Sequence, residues 1–127
     1  NPLYQPHKNI RHKAKSDLLK NGFKYNESEN FENYIKTLST YKFCVAPPGR
    51  GIDSHRCWEA LMVGTIPIVI SSSINELYDD LPVIIVDSWT VITVEFLNQK
   101  YDEILNTSYN FQKIYSKYWL NKIKADI

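Results

Sequence analysis

The sequence predicts an α/β fold, a mostly parallel sheet with helices on both faces. Two observations carry this. Three short apolar runs, at residues 42–46, 66–70 and 83–86, lack the alternation of a half-exposed strand and so read as strands buried on both faces. Segments with helical periodicity separate or flank these runs, which is the order of a layered α/β domain.

The elements follow in order. Ile10, Ala14 and Leu18 recur at i, i+4 and i+8, and Gly22 stands where a helix would stop, which predicts a helix over 9–21. A short strand is expected at 22–26. Phe31, Tyr34, Ile35 and Leu38 form the stripe of a second helix over 31–40. The strand at 42–46 is closed by Pro47-Pro48-Gly49, and a loop leads to a helix over 53–63 that Gly64 ends. Ile66-Pro67-Ile68-Val69-Ile70 is the strongest strand, with Pro67 suited to a place near its start. Ile74 to Tyr78 reads as a short helix, followed by the strand at 83–86. Two more helices are expected over 93–105 (Val94, Leu97, Tyr101, Ile104, Leu105) and 110–124 (Phe111, Ile114, Tyr118, Trp119, Ile123). Right-handed crossovers would bring the C-terminal strand ends to one edge, where open α/β sheets bind ligands.

At 127 residues the chain is long enough for one core and too short for two. Its 43% hydrophobic and 23% charged residues have the balance of a globular domain, and no apolar run is long enough to span a membrane. A net charge of +1 argues against a basic nucleic-acid binder. The charge is uneven: residues 1–24 carry Lys8, Arg11, Lys13, Lys15, Lys20 and Lys24 against Asp17 alone, read as the solvated face of a helix. There is no signal-peptide pattern, and the opening Asn1-Pro2 without an initiator Met suggests a piece of a longer protein. Cys44 and Cys57 lie in apolar runs and are expected as reduced core thiols. No metal is expected: His7 and His12 lack partners at ligand spacing, and Asp79-Asp80 reads as a solvated turn.

The informative segment is 47–63. Gly49 and Gly51 permit close approach of a ligand to the backbone, and the next helix turns its unpaired N–H groups and positive dipole end toward that loop. Arg50 and Arg56 would add charge-assisted contacts to phosphate. The segment is neither a P-loop nor a dinucleotide-binding glycine motif, which removes the nicotinamide-cofactor reading. The competing interpretation of the loop is a tight turn with Asp53 or Ser54 capping the helix. On the helical wheel His55, Arg56, Glu59 and Val63 share one face and Cys57 and Leu61 the other. A plain Arg56–Glu59 ion pair is the competing account of the polar face.

Phe43-Cys44-Val45-Ala46-Pro47-Pro48-Gly49, then Asp53-Ser54-His55-Arg56-Cys57-Trp58-Glu59-Ala60-Leu61, then Gly64-Thr65-Ile66-Pro67-Ile68-Val69 resembles the exostosin family of glycosyltransferases. The likeness spans about residues 31–97, through Leu81-Pro82-Val83-Ile84 and Trp89. It looks like the C-terminal, Rossmann-like half of that family's two-domain GT-B architecture, so residues 1–127 would be a single donor-binding domain. The resemblance implies transfer of a sugar from a nucleotide diphosphate, a UDP-sugar first, to a glycan or other hydroxyl acceptor, without a cofactor or bound metal. It implies that Arg56 contacts the diphosphate, Glu59 the ribose hydroxyls, Gly49, Arg50 and Gly51 the phosphate loop, and Ser54 the helix start beside it. Arg11, His55 and Trp89 are second-rank candidates. No catalytic residue is assigned, since the family's other domain often supplies the base and is not in this segment. The compartment would be the Golgi lumen for a membrane-anchored relative and the cytoplasm for a microbial or viral one. A non-catalytic α/β nucleotide-binding or interaction module is the alternative from another class.

Overall fold

A computed structural model describes residues 8–23, 31–48, 55–112 and 114. In chain order the elements are α1 (Lys8–Lys20), α2 (Phe31–Ser39), β1 (Phe43–Val45), α3 (His55–Met62), β2 (Ile66–Ile70), a 3-10 turn (Asn75–Tyr78), β3 (Ile84–Val86), a second 3-10 turn (Trp89–Val91) and α4 (Val94–Leu105). The strands form a parallel sheet in the order β1-β2-β3, with Val45 opposite Ile68 and Ile68 opposite Ile84. The expected α/β layering is present, and its elements lie within two residues of the sequence reading over the described residues. The expected strand at 22–26 falls almost wholly outside those residues.

Strand pleating sorts the side chains into two cores. On one face, Ile66, Ile68, Ile84 and Val86 pack with Ala14 and Leu18 of α1 and with Phe96, Leu97, Tyr101 and Ile104 of α4. On the other, Ala46 and Val69 pack with Cys57, Trp58 and Leu61 of α3 and with Tyr78 and Leu81. Both connections between strands, α3 and the first 3-10 turn, thus lie on the same face. Two crossovers of one hand stepping in one direction across a sheet require that.

Pro67 sits inside the central strand without breaking it. The backbone groups of Ile66 and Ile68 face β1, through Ile66 N–H to Lys42 O (2.8 Å) and Ala46 N–H to Ile68 O (2.9 Å). Those of Pro67 therefore face β3, whose pairing begins only at Ile68. The proline lacks a donor where no acceptor waits. Gly22 and Gly64 adopt φ values of +91° and +83°, the left-handed conformation that ends α1 and α3 as their positions suggest.

Three expectations of burial need correcting. Ile85 is 39% exposed, because β3 is an edge strand and Ile85 shares the face of Val69, where the covering layer is a single short turn. On α4, Val94 and Leu105 are 62% and 64% exposed, the helix burying Phe96, Leu97, Tyr101 and Ile104 instead. Phe111 is also exposed, in edge contact with Tyr109, whereas Ile114 is buried as its spacing predicts. The remainder of the helix expected at 110–124 lies outside the described residues.

The α1 helix docks on the second 3-10 turn through Asn21, whose Nδ2 donates to Thr90 O (3.1 Å) and Ile92 O (2.8 Å). Asp17, on the same helix, is buried, with one carboxylate oxygen 3.1 Å from Lys13 Nζ. No helix among the described residues is long and apolar enough to cross a membrane.

Candidate functional site

The site is built on the polar flank of α3. Cys57, Trp58, Ala60 and Leu61 face inward, so His55 and Arg56 are exposed and Glu59 is half-buried, as the helical wheel requires. Strand β1 leads into the first turn of α3 through 46–54, which sets that turn toward the C-terminal edge of the sheet. The α2 helix runs into the other end of β1, so its first turns return to the same edge. Thr65, buried at the N-terminal end of β2, holds the α2–β1 corner by donating to Leu38 O (2.8 Å) and Tyr41 O (3.1 Å).

This arrangement brings Tyr34 of α2 against α3. The Arg56 guanidinium lies over the Tyr34 ring, with Cζ 5.8 Å from the centroid. The phenol is near enough to Glu59 and Arg56 for the charges of both to act on it. Cys44, on the strand beneath, is close enough to Arg56 and Glu59 for both charges to act on its thiol.

Burial sets the electrostatics. It raises the Glu59 carboxyl above its ordinary value, opposed first by the neighbouring Tyr34 phenol and then by His55 and Arg56. Tyr34 is pushed up to about 12, by burial and by the neighbouring Glu59 charge. Cys44 rises to about 11, chiefly by burial, which makes it a poor thiolate. Neither cysteine is disulfide-bonded.

Arg56 and Glu59 do not form the ion pair that their spacing allows. The ion pairs within 4.0 Å among the described residues are Lys13–Asp17, Lys36–Glu32 and Lys100–Glu103. Arg56 is also the weakest of the influences on Glu59. A guanidinium facing solvent can take an oxyanion through two parallel hydrogen bonds, and a carboxylate beside it can accept neighbouring hydroxyls.

Of the residues singled out from sequence, the structure brings His55, Arg56 and Glu59 together. Gly49, Arg50, Gly51 and Ser54 lie outside the described residues, and of Arg11 only the backbone, in α1, is described. Trp89 is not a neighbour of this cluster. It is 2% exposed and belongs to the core under α1 and α4, on the opposite face of the sheet. The chain turns inward at the end of β3, and burying the indole there outweighs presenting it at the edge.

Tyr34 is the participant that sequence reasoning assigned to the core. It stands at i+3 from Phe31 in an apolar stripe, where a tyrosine reads as packing. Only a polar face on a partner helix could mark its hydroxyl as used, and periodicity does not say which helix will be the partner. Compared with models of known protein families, the chain matches none.

Proposed function

We propose that this chain is the donor-binding domain of a glycosyltransferase with an exostosin-like, Rossmann-like GT-B half, binding a nucleotide-diphosphate sugar at the α2–α3 edge. The observation that carries the reading is the presentation of Arg56 and Glu59, unpaired with each other, on a helix that starts at the C-terminal edge of a parallel sheet. That edge is where open α/β sheets take ligands. The resemblance of 43–69 to the exostosin motifs supports the same assignment, with Arg56 for the diphosphate and Glu59 for the ribose.

In this reading the work of the domain is electrostatic. Arg56, Arg50 and the amino end of α3 face the negative charge that grows on the diphosphate as it departs. The sugar goes to the hydroxyl of an acceptor, a glycan first, held by another part of the protein.

Calorimetric titration of the chain with UDP, GDP, CDP and their sugars tests the reading. Saturable binding of a nucleoside diphosphate, lost in Arg56→Ala, is the expected result. Turnover by a longer protein containing this segment separates the enzyme from a binding module, and absence of any nucleotide binding overturns both.

A further inference from the structure

We propose that the outer face of α1 is a docking surface for a membrane whose leaflet carries anionic phospholipid, a role independent of the donor-binding reading above. The helix includes Lys8, Arg11, Lys13, Lys15 and Lys20 against one acid, Asp17. That acid is turned inward, 6% exposed, while Lys13, Lys15 and Lys20 are exposed. Lys13 reaches back to it at 3.1 Å with 66% of its own side chain still in solvent.

Nothing in the packing of the helix calls for this charge. Ala14 and Leu18 meet the core, and Asn21 ties the C-terminal end to Thr90 and Ile92. Lys8 and Arg11 begin the helix with no acid in its first turn, where the positive end of the helix dipole disfavours cations. Arg11 and Lys15 stand at i and i+4, a spacing at which like charges destabilise a helix. Charge placed against the helix's own stability points to a partner of opposite sign.

The kind of partner follows from shape and from Leu19. A rod of 13 residues is about 20 Å long, so its cations meet a flat anionic surface together. Leu19, 48% exposed, shares the outer side of the helical wheel with Lys15 and Lys20. An apolar side chain there gains by entering the headgroup boundary and gains nothing against a nucleic-acid backbone. The chain beyond residue 24 is net acidic, which opposes a polyanion that wraps round the domain. Against a plane, charges on the far side are screened. The helix packs on the sheet face opposite α3, so docking through it is compatible with a ligand at Arg56 and Glu59.

Flotation of the chain with vesicles tests this. Vesicles of phosphatidylcholine with phosphatidylserine should carry the chain at low salt and release it at high salt, and phosphatidylcholine alone should not carry it. Lys15→Gln and Lys20→Gln should each weaken partitioning about fivefold, the effect of one cation at an anionic surface. Lys36→Gln removes an exposed cation from α2, beside α3, and should change partitioning by less than about twofold. Leu19→Ser should weaken binding and leave its salt dependence unchanged, since it removes contact and not charge. All four positions are exposed or half-exposed, so the variants should melt with the wild type. Equal losses in Lys20→Gln and Lys36→Gln overturn the proposal, because attraction would then follow net charge and not a face. Absence of vesicle binding, unchanged binding in Leu19→Ser, or equally tight binding of double-stranded DNA also overturns it. Calorimetry with UDP decides the donor reading separately, whichever way the vesicles answer.

Discussion

The Arg56 guanidinium lies over the ring of Tyr34, 5.8 Å from its centroid, a contact between a helix that precedes the sheet and one that crosses it. The cation is thereby supported on one side by an aromatic face and open to solvent on the other. Its role and that of its neighbours can be measured one at a time.

Arg56→Ala should weaken binding of UDP by about 1.5–3 kcal/mol, the range for hydrogen bonds to a charged group, with the lower half favoured at an exposed position. Uridine binding should hardly change, since it offers no phosphate. Calorimetry on both ligands checks this, and an equal loss for both would make Arg56 a structural residue.

Glu59→Gln bears on stability and on ligand choice together. Burial raises the Glu59 carboxyl, so the folded state holds its proton more tightly than the unfolded one. In the window between the unfolded and folded pKa values the folded state binds more protons, so stability falls as pH rises through it. Above that window the ionised carboxylate is a standing cost. The variant should therefore melt at or above the wild-type temperature at neutral pH, with the difference vanishing in acid. Its preference for ribose over 2′-deoxyribose ligands should shrink, because the altered group is the one assigned to the hydroxyls. A lowered melting temperature with an unchanged ribo-to-deoxy ratio would contradict both halves.

Tyr34 titrates late, pushed up to about 12 from an ordinary value near 10. The folded state keeps this proton after the unfolded chain has released it, so its contribution is complete below about pH 10 and is lost as pH rises toward 12. Tyr34→Phe should flatten the alkaline loss of stability over that window. Chemical denaturation at a series of alkaline pH values measures it, and identical slopes for the two chains would refute the assignment.

The thiols should be slow to react. Cys44 rises to about 11 and Cys57 is fully buried, so neither offers a ready thiolate near neutrality. Mass spectrometry after timed alkylation should find Cys44 modified more slowly than a model peptide thiol, and Cys57 modified only on unfolding. Rapid labelling of native Cys57 would mean that the core around Trp58 opens readily.

What the sequence determined by itself is what repeats along one element. Apolar runs without alternation declare strands covered on both sides, and Ile68 and Val69, adjacent in β2, indeed enter opposite cores. The helical period separates Cys57 and Leu61 from His55, Arg56 and Glu59, and Gly22 and Gly64 mark stops through a conformation that other residues rarely adopt. Tertiary structure decided every relation between elements. That Tyr34 would meet Arg56, that Trp89 would turn into the core beneath α1, and that Ile85 would be left exposed on an edge strand all depend on which helix covers which face. The period of an element says which residues share a side; it says nothing of what stands opposite. The partner is chosen by the joint packing of all the layers, and the chemistry of this site, a guanidinium over a phenol ring on the helix flank that also carries Glu59, exists only once α2 and α3 have been brought together.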